Sequence, residues 1–344
     1  MNIDKLKIAV LFGGNSSERE ISIESGVQVV KALQQAGHEV LAIDAAQGLL
    51  DEVTQKKLLE TGSIPLFFQE KDSLEVSFDQ VVLTKTGDLI DVDIVFLVLH
   101  GGTGEDGTTQ GMLDMAKLSY TGSGHLGSAL AMDKDIAKRL LIKAGVPTPD
   151  WLMAPVEPQI VENTLGFPVI VKPNKQGSTI GLTLVKYPNQ LEDAVNLALE
   201  HDNEVMIEKF IEGRELTVGI LADKALTVGE IILPLSGIYD YESKCQMEAV
   251  DVVFPAKISP EQANQTRHFA ISAHKALKLN DYSRADFRMD RNGNIWCLEI
   301  ETLPGMRATS LLPQSAAASG ISFPQLCEEI ASLAVKRKKL MSEL

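Results

Sequence analysis

The stretch K-I-A-V-L-F-G-G-N-S-S-E-R-E-I-S (residues 7–22) runs from a short apolar segment through a Gly-Gly break into the start of a helical pattern. Six residues this apolar, closed by glycine, predict a buried strand over 7–12. Helical spacing follows over 21–35, and E-V-L-A-I-D at 39–44 is strand-like again. Further on, I-V-F-L-V-L at 94–99 has the uniform apolarity of a buried parallel strand and is followed by His100-Gly101-Gly102. Strand, helix, strand alternation with such runs predicts a parallel α/β sheet. This first unit is expected to end near Y-T-G-S-G at 120–124, with weaker strands and a short helix somewhere in 45–90.

Beyond it, helical spacing covers 128–144 and is closed by Gly145, Pro147 and Pro149. Strand-like runs at 168–172 and 182–186, a helix at 189–201 and a strand at 204–211 make a small α+β unit. The remainder is strand-rich at first, has a helix at 261–279, two acidic strands at 283–290 and 294–302, and a C-terminal helix near 323–338. Its K-R-K-K ending is read as cations favoured at a helix C-terminus. A chain of 344 residues, 44% hydrophobic, exceeds one typical domain and can bury a sizeable core.

The net charge of −15 repels phosphate backbones and disfavours nucleic acid as a partner. Cys245, Cys297 and Cys327 fit neither a disulfide framework nor a zinc pattern, which points to a reducing compartment. The N-terminus does not read as a signal peptide, and no apolar run approaches the roughly 18–20 residues of a membrane helix. A cytoplasmic protein with no membrane partner is expected.

The chemistry concentrates in a few segments. In E-I-E-T-L-P-G-M-R (299–307), Glu299 and Glu301 lie two apart on a strand and so face the same way. A hairpin through D-R-N-G (290–293) would bring Asp286 beside them. Three clustered carboxylates repel unless a cation sits among them, and hard oxygen donors favour Mg²⁺ shared with phosphates; a solvated acidic face on an edge strand is the alternative. K-P-N-K-Q-G-S-T-I-G (172–181) puts a lysine at a strand end before a Gly/Ser turn, suited to closing over phosphates or to an ordinary polar hairpin. It is not a Walker A loop, and Lys134 is either a second phosphate lysine or a solvated one. The loops at 13–20 and 100–107 could present helix N-termini to an anion or serve only as tight turns, and neither has dinucleotide spacing.

Taken in order, the segments L-F-G-G-N-S-S-E-R-E-I-S, L-H-G-G-T-G-E-D-G-T-T-Q-G-M-L, Y-T-G-S-G, M-D-K, V-I-V-K-P-N-K-Q-G-S-T-I-G, E-K-F-I-E-G-R-E, I-Y-D-Y-E-S-K, R-A-D-F and E-I-E-T-L-P-G-M-R-A-T-S-L-L-P resemble the D-alanine–D-alanine ligases of the ATP-grasp superfamily. Each motif alone is weak; the ordered set is specific, and only 45–90 stands outside it. The resemblance implies an α/β fold in three domains: a parallel α/β N-terminal domain (1–122), a central α+β subdomain (123–211) and a C-terminal one (212–344), the last two sandwiching ATP. It implies that a first D-alanine is phosphorylated by ATP to an acyl phosphate and that the amine of a second displaces phosphate. Two Mg²⁺ (or Mn²⁺), with room for an activating monovalent cation, and a homodimer are implied as well.

By the same resemblance, Lys134 and Lys172 match phosphate-holding lysines, Glu208 and Glu215 adenine-side and ribose contacts, with Lys209 also among the ATP contacts. Lys244 matches a flexible-loop lysine reaching the phosphates. Asp286, Glu299 and Glu301 stand where the metal ligands belong. Glu18 matches the acid for the first substrate's ammonium, Ser178 its hydroxyl helper, and His100 lies near that substrate. Arg284 and the Gly305 N–H match the oxyanion donors, where losing one donor costs roughly 3–4 kcal/mol. Ser310 and Leu311 match contacts to the second substrate's carboxylate.

Three positions depart from the pattern. Glu301 replaces the usual Asn and adds a charge to the metal shell; Cys245 replaces a tyrosine and is a weaker donor; Arg307 replaces a threonine, where it could offset Glu301 or contact a different second substrate. The alternative they raise is a ligase of the same chemistry with D-lactate, D-serine or another amino acid as second substrate. From a different class, a silent nucleotide-binding protein would need broken phosphate lysines or acids, and Lys134, Lys172, Asp286 and Glu299 are intact.

Overall fold

The structure, a computed structural model, describes residues 5–61, 91–232 and 251–342. In chain order the elements are β1 (Lys7–Phe12), α1 (Arg19–Gln35), β2 (Glu39–Asp44), β3 (Gly48–Leu49), α2 (Glu52–Thr61), β4 (Ile94–Leu97), α3 (Thr108–Met115), α4 (His125–Met132) and α5 (Lys134–Lys143). Then come β5 (Trp151–Met153), α6 (Pro158–Thr164), β6 (Val169–Pro173), β7 (Thr183–Val185), α7 (Leu191–Leu199), β8 (Val205–Lys209), β9 (Gly213–Leu221) and β10 (Lys224–Ile231). The chain finishes with β11 (Val252–Val253), α8 (Pro260–Ala276), β12 (Tyr282–Asp290), β13 (Ile295–Glu301), α9 (Leu311–Ala318) and α10 (Phe323–Ser342). Packing divides it into two compact units, one formed by 1–125, 280–283 and 302–344, the other by 126–279 and 284–301.

The first unit holds a sheet of order β3-β2-β1-β4, in which β1 pairs parallel with both β2 and β4. The apolar runs at 7–12 and 94–99 are indeed its buried centre, with Ile8, Val10, Phe12, Ile94 and Phe96 fully enclosed. Helix α1 lies on β1 so closely that a Cβ at Gly26 would come within 2.5 Å of the Phe12 ring, which leaves room for glycine alone. The C-terminal helix α10 packs against α1 and β4.

Its basic end does more than complement a helix terminus. Arg337 donates to the Tyr120 and Gly122 carbonyls (2.5 and 2.8 Å), pairs with Asp281 at 2.8 Å and stacks its guanidinium on the Tyr120 ring. Burial raises the Asp281 carboxyl to about 6, even with Arg337 and the Gly122 N–H pulling the other way.

The second unit contains two sheets, each with its own core. One has the order β5-β8-β6-β7 and is antiparallel, closed by Val161, Leu191 and Ala198 from α6 and α7 against Val169, Val171 and Ile207. The other has the order β11-β10-β9-β12-β13 and packs α8 and α5 against its face through Ala270, Ala273, Ala137 and Leu141. The helical stretch expected at 128–144 is two helices. Asp133 leaves helical geometry (ψ 99°) and its carboxylate caps the Ile136 N–H at 3.1 Å, which starts α5 at Lys134. Likewise α8 opens with Ser259 and Gln262 in a reciprocal capping box and stops before Lys278, which is left-handed (φ 55°).

His274, on α8, is buried, and that burial lowers its pKa to about 4, while the Asp223 charge works the other way. Between pH 6.5 and 4 the unfolded chain binds a proton there that the folded chain refuses. Stability from this site is therefore complete above 6.5 and lost as pH falls, by roughly 3 kcal/mol at the acid end. Replacing His274 by Gln should flatten the fall in melting temperature between pH 7 and 4.5; an unchanged pH profile would contradict the assignment.

Candidate active site

The hairpin of β12 and β13 turns at Asp290, whose carboxylate accepts the Asn292 and Asn294 N–H groups at 2.8 and 2.9 Å. The register sets Asp286 opposite Glu299 and Arg284 opposite Glu301. Phe287 then faces Cys297, so β13 carries one extra residue at that point. The result is that Asp286, Glu299 and Glu301 each offer an oxygen within 4.8 Å of the others. From the neighbouring β9, buried Thr217 donates to Asp286 at 2.8 Å.

Among the described residues, Arg284 and Lys134 meet this cluster. Arg284, two residues before Asp286 on the same strand face, donates to its Oδ1 and Oδ2 (3.0 and 2.7 Å) and pairs with Glu301 at 2.5 Å. Burial works against the guanidinium's charge, but Asp286 and Glu301 overcome it and hold the group firmly protonated. Lys134, the first residue of α5, reaches Glu299 at 3.4 Å and donates to the Gln176 carbonyl at 2.7 Å. It is buried rather than solvated. Three carboxylates offering oxygens to one point form a set of hard donors, a composition that suits a small divalent cation.

The Gln176 contact ties the 172–181 loop to the acids. Asn174 fixes its base, donating to Asp133 at 2.9 Å and accepting the Asp135 N–H at 2.9 Å. Ser178 sits at its tip in left-handed geometry (φ 58°), and next to it the buried Thr179 hydroxyl has no partner among the described residues.

Beneath the loop, β6 and β8 place Lys172 and Glu208 on one face. The Glu208 carboxylate accepts from Lys172 at 2.8 Å through one oxygen and from Lys138 at 2.5 Å through the other. Burial raises its pKa, but Lys138 and Lys172 reverse this and hold it down at about 2. Glu215 pairs with Arg288 of β12 at 3.3 Å, and Arg288 also donates to the Ile211 carbonyl and stacks on Phe210. Lys209 ends β8 with an exposed side chain. Lys244 and Cys245 lie outside the described residues.

In the first unit, the Ser16 hydroxyl donates to the His100 carbonyl at 2.5 Å, and Gly101 (φ 69°) lets the backbone come so close to Glu18 that a Cβ would stand 3.0 Å from its carboxylate. Glu18 and His100 are thus brought together. His100 Nδ1 lies 3.5 Å from Glu105, and its buried Nε2 has no partner among the described residues. Gly305 packs beside Ser310, whose hydroxyl accepts the Arg307 N–H at 3.2 Å while Leu311 opens α9. Arg307 pairs with Glu24 of α1 at 2.9 Å.

Several contributors escaped the sequence reading: Lys138, Thr217, Arg288 and Asn174. Lys134 and Lys138, four apart on a helix, share a face that also carries Leu141, and a lysine pair on the inner face of a helix was the available signal. Thr217 and Arg288 carry none, because their partners lie across a sheet.

A parallel α/β unit, followed by two further sheets that carry buried lysines and a carboxylate trio, defines an ATP-grasp ligase architecture. The family model for the D-ala D-ala ligase N-terminus matches residues 7–123 and that for the D-ala D-ala ligase C-terminus residues 140–332. The chain is 39% identical to a D-alanine–D-alanine ligase of Nitrosomonas eutropha over 97% of its length and 98% of the relative's, and 38% identical to one of Aquifex aeolicus over 93% and 98%. Among solved structures it is similar to a D-Ala:D-Ser ligase from Enterococcus faecalis (TM-score 0.79, 30% identity, 96% of this chain and 100% of that one). It is similar too to a D-alanine–D-alanine ligase from Bacillus anthracis complexed with ATP (TM-score 0.77, 29% identity, 98% and 99%). The chain belongs to the D-alanine–D-alanine ligase family. The Nitrosomonas and Aquifex relatives are both named for D-alanine as both substrates, and a different second substrate is not favoured.

Proposed function

We propose that the chain joins two D-alanine molecules to D-alanyl-D-alanine at the expense of ATP, as a step in peptidoglycan precursor synthesis. A carboxylate oxygen of the first D-alanine bonds to the γ-phosphorus as ADP leaves. The amine nitrogen of the second then bonds to the activated carbonyl carbon, loses a proton, and inorganic phosphate departs. The observation that carries this reading is the carboxylate trio with Arg284 and Lys134 set against it.

Each group has work in that scheme. Lys134 and Lys172 bring positive charge to the phosphates, and Lys244 adds to it. Glu215 takes the ribose, with Glu208 and Lys209 on the adenine side. Arg284 and the Gly305 N–H receive the developing oxyanion, while Ser310 and Leu311 hold the second carboxylate. Glu18 takes the first ammonium, supported by Ser178, with His100 alongside. Asp286, Glu299 and Glu301 would hold Mg²⁺ or Mn²⁺. The chemistry a metal would supply there is neutralisation of phosphate charge, which is where phosphoryl-transfer catalysis chiefly lies.

The division into 1–122, 123–211 and 212–344 is proposed as the functional one; a core drawn from 161–207, separate from the one drawn from 216–300, supports its second boundary, while α5, inside 123–211, packs into the latter core and 302–344 falls in the first compact unit. Homodimerisation and a cytoplasmic location rest on the resemblance. Among the described residues no helix is long and apolar enough to cross a membrane.

ADP release should require both ATP and D-alanine, cease with EDTA and return with Mg²⁺, with D-alanyl-D-alanine found by mass spectrometry. Fastest turnover with D-serine or D-lactate in place of the second D-alanine would overturn the substrate assignment.

A further inference from the structure

Lys138 is the most enclosed cation among the described residues of the second unit. It is 1% exposed, and its ammonium donates to Glu208 at 2.5 Å and to the Thr148 hydroxyl at 2.6 Å while lying 5.0 Å above the Trp151 ring. At that depth it can touch no ligand. Its four-atom stem is held by α5, whose Ala137 and Leu141 are locked in the core, so the ammonium has little freedom. A buried lysine is expensive unless it is paired, and here the partner is the acid that also binds Lys172.

Charge arithmetic shows what this arrangement does. Lys172 and Glu208 alone sum to zero: the ammonium expected at the phosphates would be cancelled by the carboxylate 2.8 Å away. Lys138 brings the trio to +1. Because Lys138 is deeper than Lys172 (8% exposed), the surplus is expressed at the outer lysine. The two Glu208 oxygens are also divided, one to each lysine, which fixes the carboxylate plane and with it the direction of Lys172.

We propose that Lys138 is a positioning residue for nucleotide binding: by neutralising and orienting Glu208 from below, it leaves the charge of Lys172 available to the ATP phosphates. This rests on the reading of the site as an ATP site. The two lysines outweigh burial and hold the Glu208 carboxyl down at about 2, while burial lowers the Lys138 pKa and the Glu208 charge works the other way.

The test is ATP and adenosine affinity, measured by displacement of a fluorescent nucleotide without D-alanine. Lys138→Met should weaken ATP about tenfold or more and adenosine by a clearly smaller factor, because the adenine side meets Glu208 alone while the phosphates also sense the charge lost at Lys172. Lys138→Arg, which keeps the charge, should lie within about threefold of the parent. Thr148→Val removes the second acceptor without altering buried charge and should weaken ATP by a smaller factor of about two; it decides the matter if Lys138→Met fails to fold. Equal loss of ATP and adenosine affinity, or unchanged ATP affinity in both variants, would overturn the proposal and reduce Lys138 to packing. Failure of the functional reading is separate: the unaltered chain would then bind ATP yet release no ADP with D-alanine.

Discussion

Asp286→Asn is expected to cut D-alanine-dependent ADP release by about three orders of magnitude, roughly 4 kcal/mol of barrier. Asp286 is the innermost of the three acids and the one most completely held: Thr217 and two guanidinium nitrogens of Arg284 converge on it. Asparagine can still accept from Thr217, so the fold should survive, with melting temperature altered by only a few degrees. What disappears is one of three charges on the donor set. A readout independent of turnover follows from linkage, since a ligand that binds only the folded chain raises its melting temperature. The parent protein should gain stability with Mg²⁺ and ATP together, and the variant should lose most of that gain. Retention of a tenth or more of the parent rate would refute the placement of Asp286 at the reacting phosphates.

Glu208→Gln should be the most damaging change to stability. The buried trio goes from +1 to +2, and two ammonium groups are left facing a neutral amide. Breaking a buried pair by removing one partner costs about 3–5 kcal/mol. For a unit of this size that corresponds to a fall in melting temperature on the order of 10 °C. Lys138→Met, which leaves Lys172 and Glu208 as a balanced pair, should cost distinctly less. If calorimetry ranked the two variants the other way, the carboxylate would not be the keystone of that core.

Much of the site was legible before any coordinates. Alternation along a strand already paired Glu299 with Glu301, and the Asn-Gly turn already folded Asp286 toward them; the hairpin realises both. The ordered motifs carried the family. The counter-ions were not legible. Arg284 was expected as an oxyanion donor, yet in this structure it also bridges Asp286 and Glu301, which follows from sharing a strand face with one and a register position with the other. Arg307 was read as a cation that offsets Glu301 or contacts the second substrate; its pairing with Glu24, on a helix far away in the chain, was not legible. The helix break at Asp133 was missed because an aspartate inside an apolar periodic run scores as a polar helix face, while its capping of Ile136 is visible only in three dimensions.

By itself the sequence determined the local conformations and the identity of the chemistry, since apolar period, turn residues and motif order are properties of neighbouring positions. Strand 7–12, the strand read at 94–99 and observed over Ile94–Leu97, and the acidic hairpin needed nothing else. The tertiary structure decided which charges meet. Lys138 and Glu208 are 70 residues apart, Thr217 and Asp286 69, and no local rule selects one such pairing over another. The physical reason is that a buried charge is tolerated only beside a compensating one, and which one lies beside it is set by sheet order and helix docking, which are global properties of the folded chain.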